Sequence, residues 1–239
     1  MQKQKFNDGL LEFLAASPTP FHAVANMANI LEANGFAPLA EADDWQLTPG
    51  KYYVTRNGSS IAAFILGKQD PVTTGIRLVG AHTDSPCLKL KPRPEKFTKG
   101  YLHLGVEVYG GVLLNPWFDR DLSLAGRITC LDADDKIHNR LVDFARAIAT
   151  IPNLAIHLDR EANNTHSVNP QRDIPPIVMR TKTETTIESI LFEQLKQQYK
   201  GAKIKRILSY ELAFYDTQPP AVTGLAGDFI ASARLDNLL

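Results

Sequence analysis

Three observations predict an α/β domain interrupted by a largely β module. An apolar run at residues 76–79 ends in Gly80-Ala81 and then places His82 and Asp84 two residues apart. This reads as a buried strand opening onto a site, since open α/β sheets carry their sites at the carboxyl ends of strands. From about Lys91 the texture changes. Leu102, Leu104, Val106 and Val108 alternate with His103, Gly105, Glu107 and Tyr109, the period of a half-buried antiparallel strand. A Gly-rich stretch at 223–228 then precedes an apolar run at 229–233, which leads back to the first layer. The expected organisation is the N-terminal part of an α/β domain at 1–91, an inserted β domain at 92–225 and the returning α/β domain from 226–239.

The elements follow in order. Phe6, Leu10, Phe13 and Leu14 recur at helical spacing and predict an amphipathic opening helix. Ser17-Pro18-Thr19-Pro20 breaks it and offers a cap for a second helix, in which Phe21, Val24, Ala28 and Leu31 share a face and Gly35 suits the C-terminal cap. Residues 52–56 and 61–66 read as strands joined through Asn57-Gly58, a strong hairpin signal. Beyond the alternating strand, Gly110-Gly111 turns the chain. Leu122, Leu124 and Ile128 predict further strands, and 132–136 a polar turn. Residues 159–186, polar and Pro-containing, read as a long loop. Ile187, Ile190, Leu191 and Leu195 line one face of a helix at 187–199, and 207–214 returns to strand.

Composition narrows the function. With 44% hydrophobic and 22% charged residues, the chain has the make-up of an ordinary globular protein. Lys plus Arg and Asp plus Glu are 26 each, a balance that argues against a general nucleic-acid binder, whose footprint is basic. The N-terminal residues lack the continuous apolar core of a secretory signal, and no stretch reaches the roughly 18 apolar residues of a membrane helix. Cys87 and Cys130, far apart and in no metal-type spacing, fit reduced thiols in a cytoplasmic protein. There is no Gly-rich phosphate loop, GxSxG elbow, His-Glu-x-x-His or Cys-x-x-Cys motif.

Among six histidines, His82 carries the strongest case. A strand-end His can bind a metal through one ring nitrogen while a nearby carboxylate, here Asp84, holds the other. A loop-capping His with Asp84 as a turn residue fits the same spacing. His157 is a polar residue in the apolar run 154–158, so its ring needs a partner or a site. A packed, hydrogen-bonded His satisfies that equally. His22, His103, His138 and His166 are assigned no role. Asp236, between Leu235 and Asn237-Leu238-Leu239, is a candidate metal ligand, with a helix N-cap as the competing reading. In Trp117-Phe118-Asp119-Arg120-Asp121, Asp119 with Arg120 or Arg127 suggests a structural ion pair at a β corner.

Four ordered motifs go further together: Gly80 to Pro86 (GAHTDSP), Asn115 to Gly126 (NPWFDRDLSLAG), Leu154 to Leu158 (LAIHL) and Ser232 to Leu238 (SARLDNL). With Ala16 to Val24 (ASPTPFHAV), they resemble the aspartyl aminopeptidase family of zinc metallopeptidases, bacterial members above all. The resemblance implies an α/β/α zinc-peptidase sandwich, present in part, with an inserted dimerisation domain. It implies two zinc ions per subunit in the complete protein, His82 as ligand of one, Asp236 bridging both, and Asp84 orienting His82. His157 would contact substrate, in the active site of a neighbouring subunit, or ligate zinc. The implied activity is removal of N-terminal residues from peptides, acidic (Asp/Glu) in some members and neutral in others, by a cytoplasmic homo-oligomer, a tetrahedral dodecamer built from dimers. The base Glu and the other ligands would follow Asp236. His82 and Asp236 cannot give two zinc ions three protein ligands each, so the 239-residue chain alone is expected to be inactive and not to fold normally. A non-catalytic truncated homologue acting as an assembly or binding module is the alternative. A deacylase or carboxypeptidase on the same fold is disfavoured by the NPWFDRDLSLAG match.

Overall fold

The computed structural model describes residues 2–165, 167–183 and 185–235. It divides into two compact units, one of Met1–Ser85 with Pro220–Leu239 and one of Pro86–Pro219.

The first unit opens with helices α1 (Gln2–Ala16) and α2 (Pro20–Ala33). Proline occupies the first turn of α2, where its missing N–H leaves nothing unsatisfied. Three strands follow: β1 (Ala37–Leu39), β2 (Gly50–Arg56) and β3 (Ser60–Leu66). β1 pairs parallel to β2, and β2 antiparallel to β3. Asn57 and Gly58 both take positive φ, 54° and 62°, and the Ser59 N–H closes the turn onto the Arg56 carbonyl at 3.1 Å. Tyr53, Phe21, Ala23 and Val24 are buried, and the Tyr53 hydroxyl donates to the Glu32 carboxylate of α2. That bond, then burial, raises the phenol's pKa.

The expected strand at 76–81 does not form. After the short helix α3 (Pro71–Thr74), residues 75–82 carry no strand hydrogen bonds, and Ile76, Leu78 and Val79 are 80%, 89% and 95% exposed. Ile, Leu and Val make such a run suitable for burial, but a strand exists only on a ladder. The first unit's sheet is β1–β2–β3, and this run pairs with none of it.

The second unit is built on strands β4 (Cys87–Thr98), β5 (Tyr101–Tyr109), β6 (Leu122–Asp132), β7 (Ile137–Asp143) and β8 (Ile177–Arg180), helix α4 (Ile187–Gln198) and strand β9 (Ile204–Asp216). The strands form one six-stranded sheet in the order β7-β6-β9-β4-β5-β8, antiparallel throughout. α4 packs beside β9 and β7. Its Ile187, Leu191 and Leu195 are buried with Leu88, Leu104, Leu124, Ile128 and Phe214. Thr186 caps the helix by accepting from the Ser189 N–H, and the Glu95 carboxylate accepts from the Ile187 N–H at 2.7 Å. The unit begins five residues before the textural change at Lys91, because β4 is one strand from Cys87 onward. β8 lies inside the expected 159–186 loop: the open edge of β5 supplies its hydrogen bonds, a partner that local polarity does not reveal. The chain then returns to the first unit with the hairpin β10 (Ala221–Thr223) and β11 (Phe229–Ala231), turned at Gly224 and Gly227.

Two details of the sheet set its shape. At Gly126 in β6, φ is 153°, and a Cβ would stand 2.0 Å from the Glu211 carbonyl oxygen of β9. Only glycine fits. In β4 the register with β5 shifts between Leu90 and Glu95, across Lys91-Pro92-Arg93-Pro94, where two prolines lack N–H groups. The Tyr210 hydroxyl of β9 donates to the Lys91 and Pro92 carbonyls at 2.8 and 2.9 Å. Burial, then Glu95, pushes its pKa up to about 12.

Gly126→Ala is expected to destabilise the second unit by about 3 kcal/mol or more, read as a fall in urea midpoint, because backbone rather than a mobile side chain meets the new Cβ. Tyr210→Phe should cost about 1 kcal/mol at neutral pH. The folded phenol holds its proton above the ordinary 10.0. Its contribution is therefore complete below pH 10 and lost as pH rises through about 12, and the gap between wild type and Phe should close over that window.

Candidate active site

His82 lies in the loop between α3 and β4. Its Nδ1 is 2.8 Å from the backbone carbonyl of Asp84 and 3.4 Å from the Asp84 Oδ1. A carbonyl only accepts, so the proton sits on Nδ1 and Nε2 carries the lone pair. This is the tautomer of a histidine that binds metal through Nε2 with its other nitrogen anchored. Asp84 acts through its main chain at the shorter distance and through its carboxylate at the longer one. With 33% of its side chain accessible, the ring can be reached from solvent.

The loop itself is held by Thr83, whose hydroxyl donates to the Ser59 carbonyl at 2.7 Å. Ser59 belongs to the β2–β3 turn, so the hairpin signalled by Asn57-Gly58 sets the position of the His82 loop. Sequence reading missed this contact. A Thr beside a candidate ligand was visible, but its carbonyl partner 24 residues away was not.

Asp236 lies outside the described residues. The segment leading to it is anchored in the first unit by Arg234. Its N–H donates to the Ser232 hydroxyl at 3.2 Å, and its Nη2 to the Leu14 carbonyl in the last turn of α1 at 3.0 Å. That carbonyl is one of the helix-end acceptors that need an outside donor. Among the described residues, no group of three or more His, Cys, Asp or Glu could hold a metal ion. The donor chemistry of His82, an imidazole with its Nδ1 engaged by a carbonyl, fits a zinc ligand.

His157 belongs to the second unit and is exposed, within a turn at 156–158. Leu154, Ile156 and Leu158 beside it are 64%, 53% and 67% exposed. The apolar run is neither a strand nor a packed segment, so a satisfied interior histidine is not what the fold uses here. The expected pairing of Asp119 with Arg120 or Arg127 also gives way to another arrangement. Arg120 Nη1 reaches the Gln218 and Asp216 side chains at 2.8 and 3.6 Å, and Arg127 pairs with Glu211. Asp119 instead accepts from the Asn153 backbone and side-chain N–H groups at 2.9 and 3.0 Å.

Two other described histidines have structural partners. His22 Nδ1 is 2.8 Å from the Thr19 hydroxyl. His138 Nε2 is 2.7 Å from Asp132 Oδ2. The Lys136 backbone N–H first, and then His138, hold the Asp132 carboxyl below the usual range. His103 Nδ1 lies 3.4 Å from the Pro175 carbonyl. His166 lies outside the described residues. Neither Cys87 nor Cys130 is in a disulfide.

A match to the aminopeptidase I zinc metalloprotease (M18) family covers residues 13–239. The chain belongs to this M18 family. It is 56% identical to a probable M18 family aminopeptidase 2 of Pseudomonas putida, over 99% of the chain and 56% of the relative. A counterpart from Pseudomonas syringae pv. tomato is 55% identical over the same shares. The chain thus spans about half the length of the curated relatives it matches. Solved M18-like structures agree. The complex of Ape4 and Nbr1 superposes with a TM-score of 0.84 at 37% identity, covering 92% of this chain and 45% of that one. Chaetomium thermophilum mApe1 gives 0.83 at 32% identity, covering 95% and 54%. The mixed α/β fold and the zinc-metalloprotease family expected from the motifs are therefore established. No described helix is long and apolar enough to cross a membrane.

The His82 geometry generates a direct test. In Asp84→Asn the imidazole should keep its proton on Nδ1, seen in the ring 15N shifts, because the nearer acceptor is the main-chain carbonyl. A switch of tautomer would show that the carboxylate is the orienting group.

Proposed function

We propose that a protein carrying this chain is a two-zinc aminopeptidase that removes N-terminal residues from peptides, acidic residues among them. Membership of the M18 family supports the reaction class. The single structural observation that carries the reading is the anchored His82 ring, its Nδ1 engaged by Asp84.

In this reading His82 supplies one ligand through Nε2, and the Asp84 carbonyl keeps the Nδ1 proton in place. Asp84 is thus the positioning residue for His82. Asp236 supplies the bridging carboxylate, with the general base and the remaining ligands C-terminal to it. The exposed apolar run at 76–79 suits the buried strand whose end would present His82. Zinc held there would polarise a scissile carbonyl and lower the pKa of a bound water. His157, accessible on its turn, contacts the substrate as part of a neighbouring subunit's site, with zinc ligation as its second assignment.

Assembly belongs to the same reading. A solved relative, the S. cerevesiae mApe1 dodecamer, superposes with a TM-score of 0.76 at 28% identity. The exposed Leu154, Ile156 and Leu158 suit an interface with a second copy. A homo-oligomer, in the limit a dodecamer, and a cytoplasmic location, supported by two cysteines outside any disulfide, complete the proposal.

The test is zinc content together with hydrolysis of aspartyl and leucyl peptides, made on a polypeptide of the relatives' length that contains this sequence. Chelation is expected to abolish turnover. His82→Ala should lower both bound zinc and kcat/KM, the latter by about 100-fold or more. The 239-residue chain alone, with His82 and Asp236 short of three protein ligands per ion, should show no turnover. Zinc-free protein of the greater length that assembles without cleaving either peptide would favour the non-catalytic module instead.

A further inference from the structure

We infer that Asp119 is a positioning residue for His157, fixing the root of the turn that carries the imidazole. Asp119 precedes β6 and takes φ 57°, the left-handed region in which Asp and Asn are several-fold enriched. From that conformation one residue grips residues 151–153 three times. Its N–H donates to the Ile151 carbonyl at 2.8 Å. Its Oδ1 accepts from the Asn153 N–H at 2.9 Å, and its Oδ2 from the Asn153 Nδ2 at 3.0 Å. Phe118 and Ile151 form an isolated parallel bridge beside it.

The two ends of this grip differ in what surrounds them. Ile151 is fully buried in the core of the second unit, so Asp119 is tied to a rigid point. From Pro152 through Leu158 every residue is exposed. Pro152 has no N–H to offer, so Asn153 is the first residue of the segment with a backbone donor. Among the described residues, the hydrogen bonds that tie 153–158 to the sheet both end on Asp119. Within the turn, the Leu158 and Asp159 N–H groups donate to the Ala155 carbonyl. His157 therefore stands on a turn whose N-terminal root is fixed by a charge-assisted, two-point bond.

The inference rests on the reading of His157 as a substrate contact. Catalysis is sensitive to such placement, since a shift of about 1 Å can cost on the order of 100-fold in rate.

The experiment compares Asp119→Ala, Asp119→Asn, His157→Ala and the double variant Asp119→Ala/His157→Ala. Amide hydrogen exchange of residues 153–158 is measured on the protein of the relatives' length. The kcat and KM for an N-terminal aspartyl or leucyl peptide are measured on the zinc-loaded protein of the relatives' length. Asp119→Ala should speed exchange at 153–158 about tenfold while the β6 and β9 amides hold, an opening confined to one segment. Asp119→Asn should stay near wild type, because its amide oxygen still accepts from the Asn153 N–H and Asn tolerates the left-handed conformation.

In kinetics, Asp119→Ala should lose about the same factor as His157→Ala, and the double variant no more than either, as for two residues acting through one contact. Unchanged exchange in Asp119→Ala, or losses that multiply in the double variant, overturns the inference. If His157→Ala leaves kcat and KM unaltered, the reading of His157 fails and the inference with it. If His157→Ala is impaired and Asp119→Ala is not, only the inference fails.

Discussion

The ladder between β6 and β9 is the constraint on which the second unit depends. It joins residues 122–132 to residues 204–216 across the whole length of β6. The approach is tight enough at Gly126 that a side chain would meet the Glu211 carbonyl. From Leu122 to Thr129 the pairing keeps one register, so alternate residues of both strands share a face, since side chains alternate with period two. Leu122, Leu124 and Ile128 consequently share a core with Leu212 and Phe214, and α4 covers that core with Ile187, Leu191 and Leu195.

What β6 begins with is as consequential as what it pairs with. The NPWFDRD segment enters the strand through a left-handed Asp119, and the next elements of the chain are hung from it. Leu122 bridges Ala149, Phe118 bridges Ile151, and Asp119 holds Asn153. A buried strand thus ends in a polar clamp, and the exposed turn beyond the clamp carries His157. Arginines 120 and 127, which charge alone would pair with Asp119, are drawn instead to Asp216 and Glu211 on β9. The neighbouring strand decides those partners, because it brings carboxylates within reach that lie far away in sequence.

The first unit shows the same dependence in miniature. A two-residue hairpin signal produces a turn, and the turn's Ser59 carbonyl receives Thr83. That bond, with the Asp84 carbonyl, fixes how His82 is presented. The motif GAHTDSP pointed to a contact between His82 and the Asp84 carboxylate. It did not reveal that the main chain of Asp84 lies nearer than its carboxylate, because both atoms belong to the same residue and only coordinates separate them. The run at 76–79 was legible as apolar and suited to a strand, but strand formation is a property of pairs, and no described strand lies beside it.

The sequence by itself determined the α/β class, both long N-terminal helices, the 57–58 hairpin, α4 and most of the second unit's strands. These are written in local period, caps and turn residues, which act within a few positions. It also determined the family, through four motifs whose order is far more specific than any one of them. Tertiary structure alone decided the six-strand order, the edge strand β8 inside an expected loop, the need for glycine at 126, the exposure of 76–79 and of 154–158, and the transfer of Asp119 from an arginine to Asn153. Each of these depends on a partner dozens of residues away, and hydrogen bonds and ion pairs are made to whatever the fold brings near.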